Sequence, residues 1–270
     1  MTVAVAINLP DGVILAVDSA LTLGNPNMVL KVFENAEKLF QLAEKRIGIA
    51  TYGLATIGNR TIGSYLREFE LLDPNQVVSQ PANIKDVVEE LRMFFLQKYQ
   101  NIIVPLIPNF EQMPDVEKPV LGFAVGGFSD TAYLSEIWEV LIPFHNTPNS
   151  AKLLRGQGDF GGAWFALHEP IFRYEKGYDR RLLNELKAYF VRIRGTNFTP
   201  QEEIDIANIL QKYEHQIPFP AMPLQEGVAH ARFLVEMVIN HHRFAVGAPV
   251  VGGKACVGLV TYKGEKFQLL

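Results

Sequence analysis

The 270-residue sequence has a single cysteine, no internal repeat, no low-complexity tract, no long apolar run and no excess of basic charge. The lone Cys256, within Ala255-Cys256-Val257, excludes an intrachain disulfide and a cysteine-based metal cluster, and it removes support for secretion. No uninterrupted apolar stretch approaches the ~20 residues that span a bilayer. Met1 to Leu9 also lacks a basic segment leading into an apolar one, so the expectation is a cytoplasmic protein with no membrane partner. A net charge of -4 supplies no field to gather phosphates, and no stretch interleaves Lys or Arg with aromatics, so nucleic acid is not an expected partner.

What is there suffices for one core. Hydrophobic residues make up 48% and charged residues 20%, an ordinary globular balance that argues against long disorder, and one domain over 1–270 is the simplest reading. The apolar runs Val3 to Ile7 and Val13 to Val17 flank Pro10-Asp11-Gly12 and predict a hairpin. After a loop at Gly24-Asn25-Pro26-Asn27, strands are expected over 28–33, 38–42 and 46–51. Apolar spacing from Leu54 to Phe69 predicts a helix, and a second one follows Asn83, with Ile84, Val87, Val88, Leu91 and Phe95 on one face. The proline-bearing stretch 101–119 reads as an irregular crossing. Strands are then expected over 120–125 and 131–140, a helix over 161–174, helices over 199–213 and 223–242, and strands over 250–260. Thr199-Pro200-Gln201-Glu202 has the capping-box spacing.

Two stretches carry a specific resemblance. Thr2-Val3-Ala4-Val5-Ala6-Ile7 followed by Asp11 to Ser19 resembles the start of a mature proteasome β-subunit, with the same interval between threonine and aspartate. Glu37-Lys38-Leu39-Phe40-Gln41-Leu42 resembles that family's lysine strand, and Arg46 to Ala55 its following strand and glycine; together these cover the first quarter of the chain. The resemblance implies an α+β fold of the N-terminal-nucleophile (Ntn) hydrolases, a four-layer αββα sandwich. It implies a threonine peptidase with Thr2 as nucleophile, Lys38 and Asp18 in support, and the Gly53 amide as oxyanion donor. Leu21, Ala36, Thr51 and Ala55 would line an apolar pocket beside the nucleophile, with Thr22 and Ala55 pairing the substrate backbone. Ser19 and Gln157 would be supporting residues. A peptide or unfolded protein is the implied substrate, a homo-oligomeric ring or related assembly the implied state, and an ATP-dependent unfoldase a candidate partner. No cofactor and no metal are implied.

The chemistry is coherent without the family. A threonine hydroxyl needs a base beside it, and a free α-amine, with an unperturbed pKa of ~7.7–8.0, is one. Removal of Met1 from Met-Thr would expose it directly, as in the simpler bacterial proteasome-like peptidases that begin at Met-Thr. The C-terminal half departs from the family. Gly156-Gln157-Gly158 holds a glutamine where a serine is usual, Ala248-Pro249-Val250-Val251 supplies neither the usual aspartate nor the usual serine, and Ala20 replaces an arginine. A catalytically silent assembly subunit and a non-proteolytic amidase are therefore the alternatives. The stretch 174–220 exceeds what the compact family needs and is expected to be a helical insertion.

Other features read more simply. Gly156 to Gly161 matches G-x-G-x-x-G without a βαβ context and reads as a tight turn. His241-His242 point apart on a helix and have no third ligand in range, Cys256 reads as core, and Phe94-Phe95 and Trp164-Phe165 as packing residues.

Overall fold

The computed structural model describes residues 2–25, 28–42, 46–72, 83–145, 151–246, 250–263 and 268–269. Strands β1 (Val3–Leu9) and β2 (Gly12–Asp18) form the expected hairpin, with Val5 opposite Ala16. Next come β3 (Leu21–Asn25), β4 (Met28–Phe33), β5 (Leu39–Gln41), β6 (Ile47–Gly53), β7 (Thr56–Ile57) and β8 (Arg60–Thr61). Helices α1 (Ile62–Leu72) and α2 (Ile84–Lys98) follow, the second capped by Asn83, whose side chain accepts from the Lys85 N–H at 3.1 Å. The proline-bearing crossing is a π turn at Tyr99–Ile103 and short 3-10 turns. Then come β9 (Leu121–Gly127), β10 (Glu136–Ile142), β11 (Lys152–Arg155), β12 (Gly161–Ala166), α3 (Glu169–Lys176), α4 (Arg180–Arg194), α5 (Pro200–Gln211), α6 (Leu224–Phe244), β13 (Ala255–Thr261) and β14 (Gln268–Leu269).

The strands make two five-stranded antiparallel sheets, ordered β12-β1-β2-β13-β14 and β11-β10-β9-β6-β5, and two small ladders, β3-β4 and β7-β8. Every residue of β1 and β2 is buried, which requires cover on both faces of the hairpin. Period-two alternation divides the side chains. Val3, Val5, Ile7 and Leu9 pack with Val228, Ala231, Leu234 and Val238 of α6, whereas Ala4 and Ala6 share a cluster with Ala50, Tyr52 and Ala124 of the second sheet. That sheet alternates likewise, sending Ile47, Ile49, Leu121, Phe123 and Val125 toward α1 and α2. The chain is thus mixed α and β, as an α+β protein requires. Among the described residues no helix is long and apolar enough to cross a membrane.

Several expectations are corrected. Residues 161–166, expected as helix, form β12, because their backbone groups pair with β1 from Val3 opposite Ala166 to Asn8 opposite Gly161. The helix starts only at Glu169, where Pro170 marks its first turn. Gly24 and Asn25, expected in a loop, belong to β3 and pair with β4, while 26–27 lie outside the described residues. The helix expected from Leu54 starts only at Ile62, after the β7-β8 ladder of Thr56–Ile57 with Arg60–Thr61, and 250–254 precede the final strand pair. The stretch 174–220 is chiefly α4 and α5, the latter with the full capping box between Thr199 and Glu202.

Phe95 is fully buried, with its ring centroid 4.6 Å from that of Phe123. Phe95→Ala is expected to lower stability by about 3–5 kcal/mol, read from urea unfolding. Val116→Ala, at a site 94% exposed, should stay within about 0.5 kcal/mol of the parent.

Candidate active site

Antiparallel pairing of Ala4 with Val17 puts the start of β1 beside the end of β2, and so brings Thr2 to Asp18. The Thr2 carbonyl accepts from the Leu167 N–H at 3.1 Å, which fastens the start of β1 to the segment after β12. Lys38 stands just before β5. Its carbonyl accepts from the Thr51 N–H at 2.9 Å, so the β5-β6 pairing fixes its backbone.

From there the Lys38 ammonium lies 2.9 Å from Thr2 Oγ1 and 2.9 Å from Asp18 Oδ1, donating to both. All three side chains are buried: Thr2 is 5% exposed, Asp18 0% and Lys38 7%. Asp18 Oδ1 also accepts from the Val3 N–H at 3.2 Å, and Oδ2 from the Ala20 and Gly252 N–H groups, each at 3.3 Å. The carboxylate therefore has four donors, as a buried charge requires. Burial holds the Lys38 ammonium below the usual lysine range, and the attraction of Asp18 opposes that shift. Nearby, burial and then Asp18 push the Cys256 thiol up, which favours its neutral form.

Thr2, Lys38 and Gly53 open onto a cleft of about 640 Å³ that Leu21, Thr22, Ala36, Thr51 and Ala55 also line. The structure thus brings together eight of the residues singled out in the sequence, with Asp18 behind Lys38. Gly53 has φ +84°, and a Cβ there would lie 2.0 Å from the Val120 carbonyl oxygen, so both backbone angle and space require glycine. Among the described residues the Thr22 hydroxyl has no hydrogen-bond partner.

Two supporting residues do other work. The Ser19 hydroxyl donates to the Glu34 carbonyl and accepts from the Lys254 N–H at 2.8 Å, tying the end of β2 to two loops. Gln157 is not among the residues lining the cleft. It sits exposed in the turn between β11 and β12, and its amide donates to Glu136 at 3.0 Å. The glycines around it join strand to strand, which leaves no helix N-terminus for a dinucleotide. Ala248 lies outside the described residues, and Val251 is buried in the core shared with α6.

Sequence reasoning missed what the Gly252-Gly253 turn contributes. Gly252 gives its N–H to Asp18, and Gly253, with φ +72°, lies so close to Ser19 Oγ that a Cβ would be 2.3 Å away. The adjacent glycines were the available signal. The second role of Thr51, holding the Lys38 backbone, was also missed.

Asp18→Ala strands a buried ammonium and three backbone N–H groups, and is expected to lower stability by about 3–5 kcal/mol. Adding Lys38→Met should recover only part of that loss in denaturant midpoints, because the amides of Val3, Ala20 and Gly252 stay unpaired at about 1–3 kcal/mol each. Full recovery would mean that these amides find other acceptors.

No protein-family model matches the chain and no curated protein matches it.

Proposed function

We propose that the chain is a threonine peptidase of the Ntn-hydrolase type, built as a four-layer αββα sandwich over 1–270 with a helical insertion. It works in the cytoplasm as a homo-oligomeric ring or related assembly on peptides or unfolded proteins, with an ATP-dependent unfoldase as candidate partner. The observation that carries this reading is the Lys38 ammonium 2.9 Å from both the Thr2 hydroxyl and the Asp18 carboxylate, at the wall of a cleft. The three core clusters, helix against sheet, sheet against sheet and sheet against helix, support the layered fold.

The mechanism follows from which atoms carry protons. Loss of Met1, which lies outside the described residues, converts the Thr2 amide nitrogen to a free amine. Lys38 donates to Oγ1, so the hydroxyl proton is directed elsewhere, and the Thr2 amine accepts it as Oγ1 attacks the substrate carbonyl. The Gly53 N–H donates to the oxyanion that forms. As the C–N bond breaks, the leaving amine takes the proton from the Thr2 ammonium and the acyl group remains as an ester on Oγ1. Water, deprotonated by the same amine, then hydrolyses the ester and restores the hydroxyl. Lys38 remains a cation throughout and favours the neutral amine over the ammonium.

Intact mass measures the starting state: loss of the Met1 mass and a one-to-one adduct with a threonine-directed covalent inhibitor are expected. Thr2→Ala should abolish hydrolysis of a neutral peptide without loss of assembly, while Thr2→Ser keeps part of the rate. An unreactive protein that retains Met1, or a Thr2→Ala variant at the parental rate, would overturn the reading.

The pH dependence has a definite sign. The base must be unprotonated, so the rate rises with pH through the Thr2 amine's pKa and disappears below it. A neighbouring cation pulls that midpoint below the ordinary ~7.7–8.0. Lys38→Ala should therefore lower the rate and move the acidic limb upward. Lys38→Arg keeps the charge in a wider planar group and should restore the midpoint better than the rate. A Lys38→Ala profile with unchanged rate and midpoint would remove Lys38 from the mechanism.

A further inference from the structure

Helices α4 and α5 have no buried residue, although α4 is strongly amphipathic. One face of α4 is held by ion pairs within the chain: Arg180 with Glu169 at 3.1 Å, Arg194 with Glu202 at 2.9 Å, and Lys187 with Glu203. The opposite face carries Leu182, Leu186, Tyr189 and Ile193, each between 46 and 62% exposed, with Phe190 beside them at 50%. Their spacing of four, three and four is the d-a-d-a seam of a heptad repeat, which calls for a second helix.

The pattern identifies that helix. An antiparallel copy of α4, related by a two-fold axis near the middle of the seam, sets Leu182 against Ile193 of the second copy and Leu186 against its Tyr189, and the same two contacts recur on the other side of the axis. Glu185 and Arg192 lie seven residues apart on the same flank of the seam. In the antiparallel pair each faces the other type from the second copy, so attraction occurs twice and no like charges meet. Neither residue has an ion pair within the chain among the described residues, and Arg192 stacks only over its own Tyr189 at 5.4 Å. A lipid surface fits less well, because Glu185 borders the seam and three of the five basic side chains of α4 are paired on the far face.

We infer that α4 is a two-fold docking surface for a second copy of this chain, joined as an antiparallel helix pair through Leu182, Leu186, Tyr189 and Ile193. The inference does not rest on the hydrolase reading, and the Thr2→Ala protein can be used throughout, so that failure of one is distinct from failure of the other.

Sedimentation equilibrium of the full chain tests it at up to roughly 100 μM, where a contact with a Kd of about 100 μM leaves half of the protomers paired. The expected parent is an even-numbered assembly. Glu185→Arg and Arg192→Glu should each weaken pairing about tenfold or more by opposing like charges, halving the observed mass, and the double variant should restore it. Leu186→Asp should abolish pairing with an unchanged far-ultraviolet circular dichroism spectrum. Monomer at the highest concentration, pairing that survives Leu186→Asp, or no rescue in the charge-swapped double variant would overturn the inference. Co-sedimentation with phosphatidylserine vesicles without self-association would overturn it in favour of a membrane contact.

Discussion

An ammonium buried at Lys38 is the constraint on which the site and much of its surroundings depend. Removing that charge from water is unfavourable unless a counter-charge and hydrogen bonds replace the lost hydration. Asp18 supplies the charge, but a buried carboxylate needs donors of its own, and these come from three separate places: the first residue of β1, the turn after β2, and Gly252. Thr51 then fixes the lysine's main chain from β6. One ion pair thereby links the beginning, the first third and the end of the sequence, and any of those segments moving by an ångström would leave a charge or an amide unpaired.

Sheet topology makes the requirement achievable. In an antiparallel hairpin the start of one strand lies beside the end of the next, so Thr2 and Asp18 meet because β1 and β2 are of equal length and joined by a tight turn. Pairing of Ala255 with Asp18 brings the Gly252-Gly253 turn to the same end. The two sheets approach closely because alanines line both sides of their interface, Ala4 and Ala6 from the first sheet and Ala50 and Ala124 from the second. Larger residues there would separate the sheets and draw Lys38 away from Thr2.

These relations were legible to different degrees. The hairpin, the Asn83 cap and the Thr199 capping box are short-range patterns, and such patterns depend on residues within a few positions of one another. The threonine, aspartate, lysine and glycine were singled out by a resemblance in their sequence intervals, and the structure places Thr2, Lys38 and Gly53 on one cleft with Asp18 bonded to Lys38. β12 was not, because Gly161-Gly162-Ala163-Trp164-Phe165-Ala166 has no strong local preference, and it becomes a strand only by pairing with β1 at the far end of the chain. Gln157 misled for a related reason: a glycine-flanked position suggested the site, whereas the amide is drawn to Glu136 on the neighbouring strand. The Gly252 contribution is a backbone N–H, so its one sign in the sequence is the adjacent pair of glycines.

The stretch 174–220 follows a different logic from the core. Its helices start from local caps, Asp179 accepting from the Leu182 N–H at 2.9 Å and Thr199 within its box, and α4 ends at a left-handed Gly195. It is tied back to α3 by the His215 N–H to the Glu175 carbonyl at 2.7 Å and by Lys176 with Glu214 at 3.0 Å. Half-exposed ion pairs of this kind contribute about 0–1 kcal/mol each. With no buried side chain in either helix, the free energy that orders α4 and α5 comes from caps and surface contacts, each small. A helix pair so lightly held retains its apolar seam for contact outside the protomer.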